Sequence, residues 1–159
     1  MPNIARMFAA LLTALVSTVA QAASEVTLAT GQTVYVPVYS SVFVGDRSLF
    51  FHLAITLTIR NTDPKRPMTV VFANYFDQDG KLVKKFLPEP IKLQPLASTT
   101  IFIQEQDTAG GVGASFLVQW KSEHAINVPI IEAVMIGTRL GQGISFVSPG
   151  RQIREESEP

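Results

Sequence analysis

Two glycine clusters have the residue types of a phosphate-holding turn: GGVG at 110–113 and GQG at 141–143, each leading into an apolar run, SFLVQW and ISFV. A dinucleotide-binding turn needs a third glycine at its sixth position, followed by a helix whose free N–H groups face the pyrophosphate. Phe116 and Phe146 occupy those sixth positions, strand-like runs follow, and no Gly-Lys-Ser or Gly-Lys-Thr occurs anywhere. Both clusters therefore read as turns entering strands, where glycine supplies positive φ or a close backbone approach. The remaining chemistry is a nest of backbone N–H groups for a small anion. If the two turns converge, a ligand-binding set would comprise Asp107, Gly110, Gly111, Gly113, Glu132, Arg139, Gly141, Gly143 and Arg151, with Arg47 near it.

Other constellations are weaker. DQDG at 77–80 has a calcium-loop flavour, but in EF-hand register Tyr75 and Phe86 would fill the first and twelfth positions, which need carboxylates. A β-hairpin turn is the expectation, with a looser calcium site through Asp77 and Asp79 left open. His52 and His124 are the only histidines and there is no cysteine, so no metal site is assigned. No Gly-x-Ser-x-Gly elbow is present to hold a Ser-His-Asp arrangement, so no catalytic residue and no cofactor is assigned either. Glu132, set among Ile130, Val134 and Ile136, reads as a carboxylate on a strand covered on both faces, paired with Arg60, Arg139 or Arg151. Trp120, in step with Phe116 and Val118, reads as core.

The elements that must position these residues are strands. In LFFHLAITLTIRN (49–61) the odd positions Leu49 to Ile59 are all apolar, the alternation of a half-buried strand. TVYVPVY (33–39) is a second, demoted to a sheet edge or bulge by Pro37, which donates no ladder hydrogen bond. MTVVFANYFD and KLVKKFL flank the Asp79-Gly80 turn as a hairpin. Runs at 91–104, 115–121, 129–138 and 143–147 complete about eight strands, and no amphipathic helix interrupts them. The expected fold is all-β: one antiparallel β-sandwich of immunoglobulin-like type over 23–153, with a closed barrel as the alternative and a disordered polar tail at 154–159.

Residues 1–22 have the parts of a cleaved secretory signal: Arg6, an uncharged apolar run over 7–20, and Ala20-Gln21-Ala22 as the cleavage site. The run is about 14 residues, short of the ~20 that cross a bilayer, so the expectation is export without stable membrane insertion, to the periplasm or beyond. Without cysteine the fold stands on its core, and about 137 residues suffice for one. Of 13 Lys and Arg, Arg6 leaves with the leader; against 13 Asp and Glu the net charge is near −1, which makes nucleic acid a poor partner.

Taken in order, GQTVYVPVYSSVFVGDRS, IRNTDP, YFDQDGKLV, PIKLQPLAST, DTAGGVGASFLVQW, PIIEAVMIGT and GQGISFVSPGR resemble the exported bacterial proteins catalogued as domain of unknown function 3124, over about residues 31–151. That resemblance implies a single-domain envelope protein and supplies no catalytic residues to carry over. The functional expectation is a non-enzymatic module that binds an envelope protein or peptide, by lending the edge near 34–39 to another chain's strand. The alternative is a small-ligand or anion site built on the two glycine turns and their arginines.

Overall fold

The computed structural model describes residues 26–46, 49–139 and 141–155. The expected leader at 1–22, Arg47 and the chain beyond 155 lie outside the described residues. Twelve strands form in chain order: β1 (Leu28–Pro37), β2 (Ser41–Val44), β3 (Leu49–His52), β4 (Ala54–Arg60), β5 (Met68–Phe76), β6 (Leu82–Lys85), β7 (Ile91–Leu93), β8 (Ser98–Ile103), β9 (Ser115–Asn127), β10 (Ile130–Arg139), β11 (Gln142–Pro149) and β12 (Arg151–Glu155). One sheet has the order β12-β1-β9-β5-β6, with β7 also on β5; the second is β11-β10-β4-β8; β2 and β3 form a separate two-stranded ribbon. Every pairing is antiparallel and neither large sheet closes on itself, so the fold is a sandwich and not a barrel.

Period-two alternation puts one face of each sheet into a common core. Val34 and Val36 of β1, Ile55, Leu57 and Ile59 of β4, Val70 and Ala73 of β5, Phe116, Val118 and Trp120 of β9, and Ile131, Ala133 and Met135 of β10 are all buried there. Trp120 is core, as its spacing predicts. Asp77 closes the β5–β6 hairpin: its Oδ1 accepts the N–H groups of Asp79 (3.0 Å) and Lys81 (2.8 Å), a turn in which the carboxylate serves the backbone. Asn61 and Asp63 do the same between β4 and β5. Asn61 is buried and its side-chain amide donates to the carbonyls of Arg66 and Gln94, while Asp63 Oδ1 accepts from Lys65 N and Arg66 N.

Several expectations change. The eight runs become twelve strands because 49–61 and 91–104 each hold two, and β2 and β12 add two that no run marked. Residues 49–61 break at Leu53 into β3 and β4, which join different sheets, and Leu49 is exposed instead of core. β9 continues to Asn127 because β1 pairs with it as far as Leu28. β1 is no edge: it lies between β9 and β12, and Pro37 sits at its last position, past the final β12 pair at Tyr35, where a missing donor costs little. β12 carries the pairing to Glu155, two residues beyond the expected domain boundary. On β10, Ile130 and Ile136 are exposed, so that strand is covered on one face only, and Glu132 lies half-buried on the outer side.

Two adjacent pairs, β8 with β4 and β5 with β9, follow the E-B and C-F neighbours of an immunoglobulin sandwich; β10 takes the other place beside β4, leaving β8 at the sheet's edge, and β1 the other place beside β9.

Candidate functional site

Among the described residues, a broad concavity lies where the β2–β3 ribbon meets the connection between β8 and β9. The ribbon forms because SVFV and LFFH alternate on either side of a Gly45-Asp46 turn, with Phe43 opposite Phe50 and Ser41 opposite His52. Leu53 N donates to Ser40 O (2.9 Å) and closes the ribbon's base, and Ser40 N donates to Gly111 O (3.0 Å) and ties that base to the 104–114 connection. The 104–114 connection is held from its other side by Gln78 N, which donates to Gly110 O (3.1 Å), and Val38 N donates to Ala114 O (2.9 Å). Beneath it, Ser40 Oγ and Tyr75 Oη, both buried, lie 2.7 Å apart in a hydrogen bond. Burial raises the Tyr75 phenol above its ordinary value, and the Ser40 bond only partly opposes this.

Between ribbon and connection lies a cleft of about 540 Å³, lined by Ser41, Phe43, Phe50, His52, Gln78, Thr108, Gly111 and Val112. Phe43 and Phe50 stand at 57% and 52% exposure, with ring centroids 4.9 Å apart. On the floor side, Ser41 Oγ and His52 Nδ1 share a hydrogen bond of 2.9 Å. None of the lining residues carries a full charge of fixed sign; the polar groups are two hydroxyls, an amide and an imidazole. A second hollow of about 210 Å³ lies behind the ribbon, lined by Phe50, Phe51, His52, Glu105, Thr138 and Arg139. Phe50 and His52 line both, so the ribbon is the wall between them.

The structure divides the expected ligand set among four places. Gly111 lines the cleft, Gly110 and Gly113 sit beside it in the same connection without lining it, and Asp107 turns inward on its own loop, where its Oδ1 accepts from Ala109 N at 3.2 Å. Gly110 is glycine for packing: a Cβ there would run into the Tyr75 hydroxyl and the Ala114 methyl. Arg139 lines the hollow behind the ribbon and donates to Phe50 O (3.4 Å), with Gly141 in the β10–β11 turn after it and Gly143 on β11 opposite Thr138. Glu132 is seven residues before Arg139 on the same strand, about 23 Å away at 3.3 Å per residue, and pairs instead with Arg60, Nη2 to Oε1 3.6 Å. Arg151 lies on β12 opposite Tyr35. Among the described residues no pocket is lined by both glycine clusters, and Glu105, which lines the second hollow with Arg139, makes it a poor receptor for an anion. No group of three or more His, Cys, Asp or Glu placed to hold a metal occurs among the described residues.

Sequence reasoning missed Phe43, Phe50 and the Ser41–His52 pair. The signal was present in SVFVGDRSLFFH, two short alternating runs around Gly-Asp, but it was overshadowed by the longer run that LFFH opens.

Set against known proteins, residues 31–153 match a family model described as a protein of unknown function (DUF3124). No curated protein matches the chain. A crystal structure of Thermotoga maritima 1070 is similar in backbone, with a TM-score of 0.47 at 10% identity, over 79% of this chain and 97% of that one.

Proposed function

We propose a function for this chain, which belongs to the DUF3124 family of proteins of unknown function: an exported, non-enzymatic binding module whose cleft between the β2–β3 ribbon and the 104–114 connection takes an extended, uncharged peptide segment of a partner protein. The observation that carries this reading is the Phe43–Phe50 pair, two rings left more than half exposed at the mouth of a concavity large enough for one or two side chains. Exposed aromatics beside a concave surface are the usual anchors of protein recognition, because a rigid ring gains contact area at small entropic cost. Ser41, His52, Gln78 and Thr108 offer donors and acceptors that suit peptide amides, and the uncharged lining selects against acidic or basic segments. Export rests on the leader-like composition of 1–22.

The test is selection from a random peptide library, with affinities measured by fluorescence anisotropy. Selected peptides should be poor in charge and rich in apolar residues, and Phe43→Ala combined with Phe50→Ala should weaken them at least about tenfold, the equivalent of about 1.4 kcal/mol. A library that yields no binder, or binders indifferent to both substitutions, rules the cleft out. N-terminal sequencing of the protein recovered from expressing cells checks export: a start at Ala23 is expected, and an intact Met1 contradicts it.

A further inference from the structure

The sandwich treats its open edges unequally. On the first sheet, the outer strands carry charge: Lys84 and Lys85 on β6, Lys92 on β7, Arg151 and Arg154 on β12. Charged side chains on an edge are the common guard against pairing with another chain's backbone. On the second sheet, β11 carries no charge but is interrupted by Gly143 and by Pro149, which has no N–H to donate. β8 has neither guard. Its sequence, STTIFI, contains no charge, no proline and no glycine, and among the described residues no strand pairs with its outer side. β-branched and aromatic residues of this kind are those that favour extended pairing.

We infer that β8 is a homotypic pairing edge, joining a second copy of this chain into a continuous eight-stranded sheet. Three features of the strand select the copy over a foreign segment. First, antiparallel pairing about a two-fold axis sets β8 against itself, and with no charge on it no like charges meet; the same operation on β6 would bring Lys84 and Lys85 together. Second, residues directly opposite in an antiparallel pair share a face. A register centred on Thr100 or on Ile101 therefore sets buried Ile101 and Ile103 near their own kind, so the core continues across the seam, while Thr100 and Phe102 meet on the outside. Third, the outer face already holds an uncharged row of β-branched and aromatic residues that ends at this edge. Val147, Val134, Thr56 and Phe102 lie in register across β11, β10, β4 and β8, and Phe102 at the end is 59% exposed. The copy's own Phe102 lengthens that row. Six residues of pairing span about 20 Å and fall below the ~800 Å² per partner of a durable interface, so the dimer is concentration-dependent.

Sedimentation equilibrium of the purified protein from about 10 µM to about 1 mM covers the range expected of so small an interface. The mass should rise from monomer towards dimer, with amide exchange at residues 99–103 slowing in parallel. Thr100→Lys and, separately, Phe102→Lys should weaken the association at least tenfold, while Ser145→Lys on β11 of the same sheet leaves it unchanged. A protein monomeric throughout overturns the proposal and leaves β8 to a foreign strand. So does a dimer that survives Thr100→Lys or is lost with Ser145→Lys. If either lysine variant fails to fold, the concentration dependence of exchange at 99–103 in the unaltered protein decides alone: no change with concentration refutes the pairing.

Discussion

Gly150 donates its backbone N–H to the carbonyl of Ile131 at 2.8 Å, at the point where the chain leaves β11 in one sheet and begins β12 in the other. A Cβ on Gly150 would lie 2.7 Å from that carbonyl oxygen and 2.7 Å from Val34 Cγ1, so the crossing strand fits only because this residue has no side chain. Strands that switch sheets at a corner close a sandwich on one side. Gly150→Ala should cost about 1–3 kcal/mol, the range for forcing extra volume into packed surroundings. Urea unfolding checks this; a loss under about 0.5 kcal/mol would mean the corner yields freely.

Tyr75→Phe removes a hydroxyl and strands the buried Ser40 Oγ. The expected loss is about 1–3 kcal/mol at neutral pH, and Ser40→Ala with Tyr75→Phe should cost less than the two single changes added together, since both remove one bond. Because burial raises the phenol above its ordinary 10.0, the folded state favours the neutral form, and that contribution is present below pH 10 and fades as pH rises through the folded value. The Tyr75→Phe protein should lack this alkaline decline, as read by thermal unfolding between pH 9 and 11.

Asp63 accepts N–H bonds from Lys65 and Arg66 through one oxygen and from Asn127 through the other (3.3 Å). The backbone bond from Lys65, with those from Arg66 and Asn127, holds its carboxyl below the ordinary 3.8 despite the opposing effect of burial. A depressed value means the carboxylate stabilises the fold above pH 3.8 and ceases to as pH falls through the folded value. Asp63→Asn should therefore be less stable at pH 7, and the gap to the unaltered protein should narrow towards pH 2.

Glu132→Gln tests the correction on that residue. A buried, paired carboxylate would be costly to neutralise, but Arg60 and Glu132 lie on the outer face at 52% and 30% side-chain exposure, so the change should fall within about 0.2–1 kcal/mol and shrink further in salt.

How far the residues could be read follows the range of the interaction behind each feature. β4, β5 and the Asp77 turn are local: alternation over six to nine residues, or one carboxylate reaching the backbone two to four residues on, and these were legible. The Phe43–Phe50 ribbon was half-legible, since Gly45-Asp46 marks a turn, but the exposure of the two rings depends on β3 and β4 parting at Leu53. The expected pairing of Glu132 with Arg60 is present, but the expected cover on both faces is not, because an apolar strand in the middle of a sheet and one with a bare outer face have the same local composition.

By itself, the sequence determined an all-β, cysteine-free chain whose alternating runs must form antiparallel sheets, because burying every second side chain is the only way such runs leave water. It also determined that the glycine clusters are turns, since strands and not helices follow them. Tertiary structure alone decided which strands adjoin, that Pro37 ends an inner strand, that Glu132 faces outward, and that among the described residues the two glycine clusters line no common pocket. Those outcomes depend on contacts between residues as far apart in the chain as Gln32 and Gln152, whose amides meet at 2.9 Å, and no local pattern encodes a pairing across 120 positions.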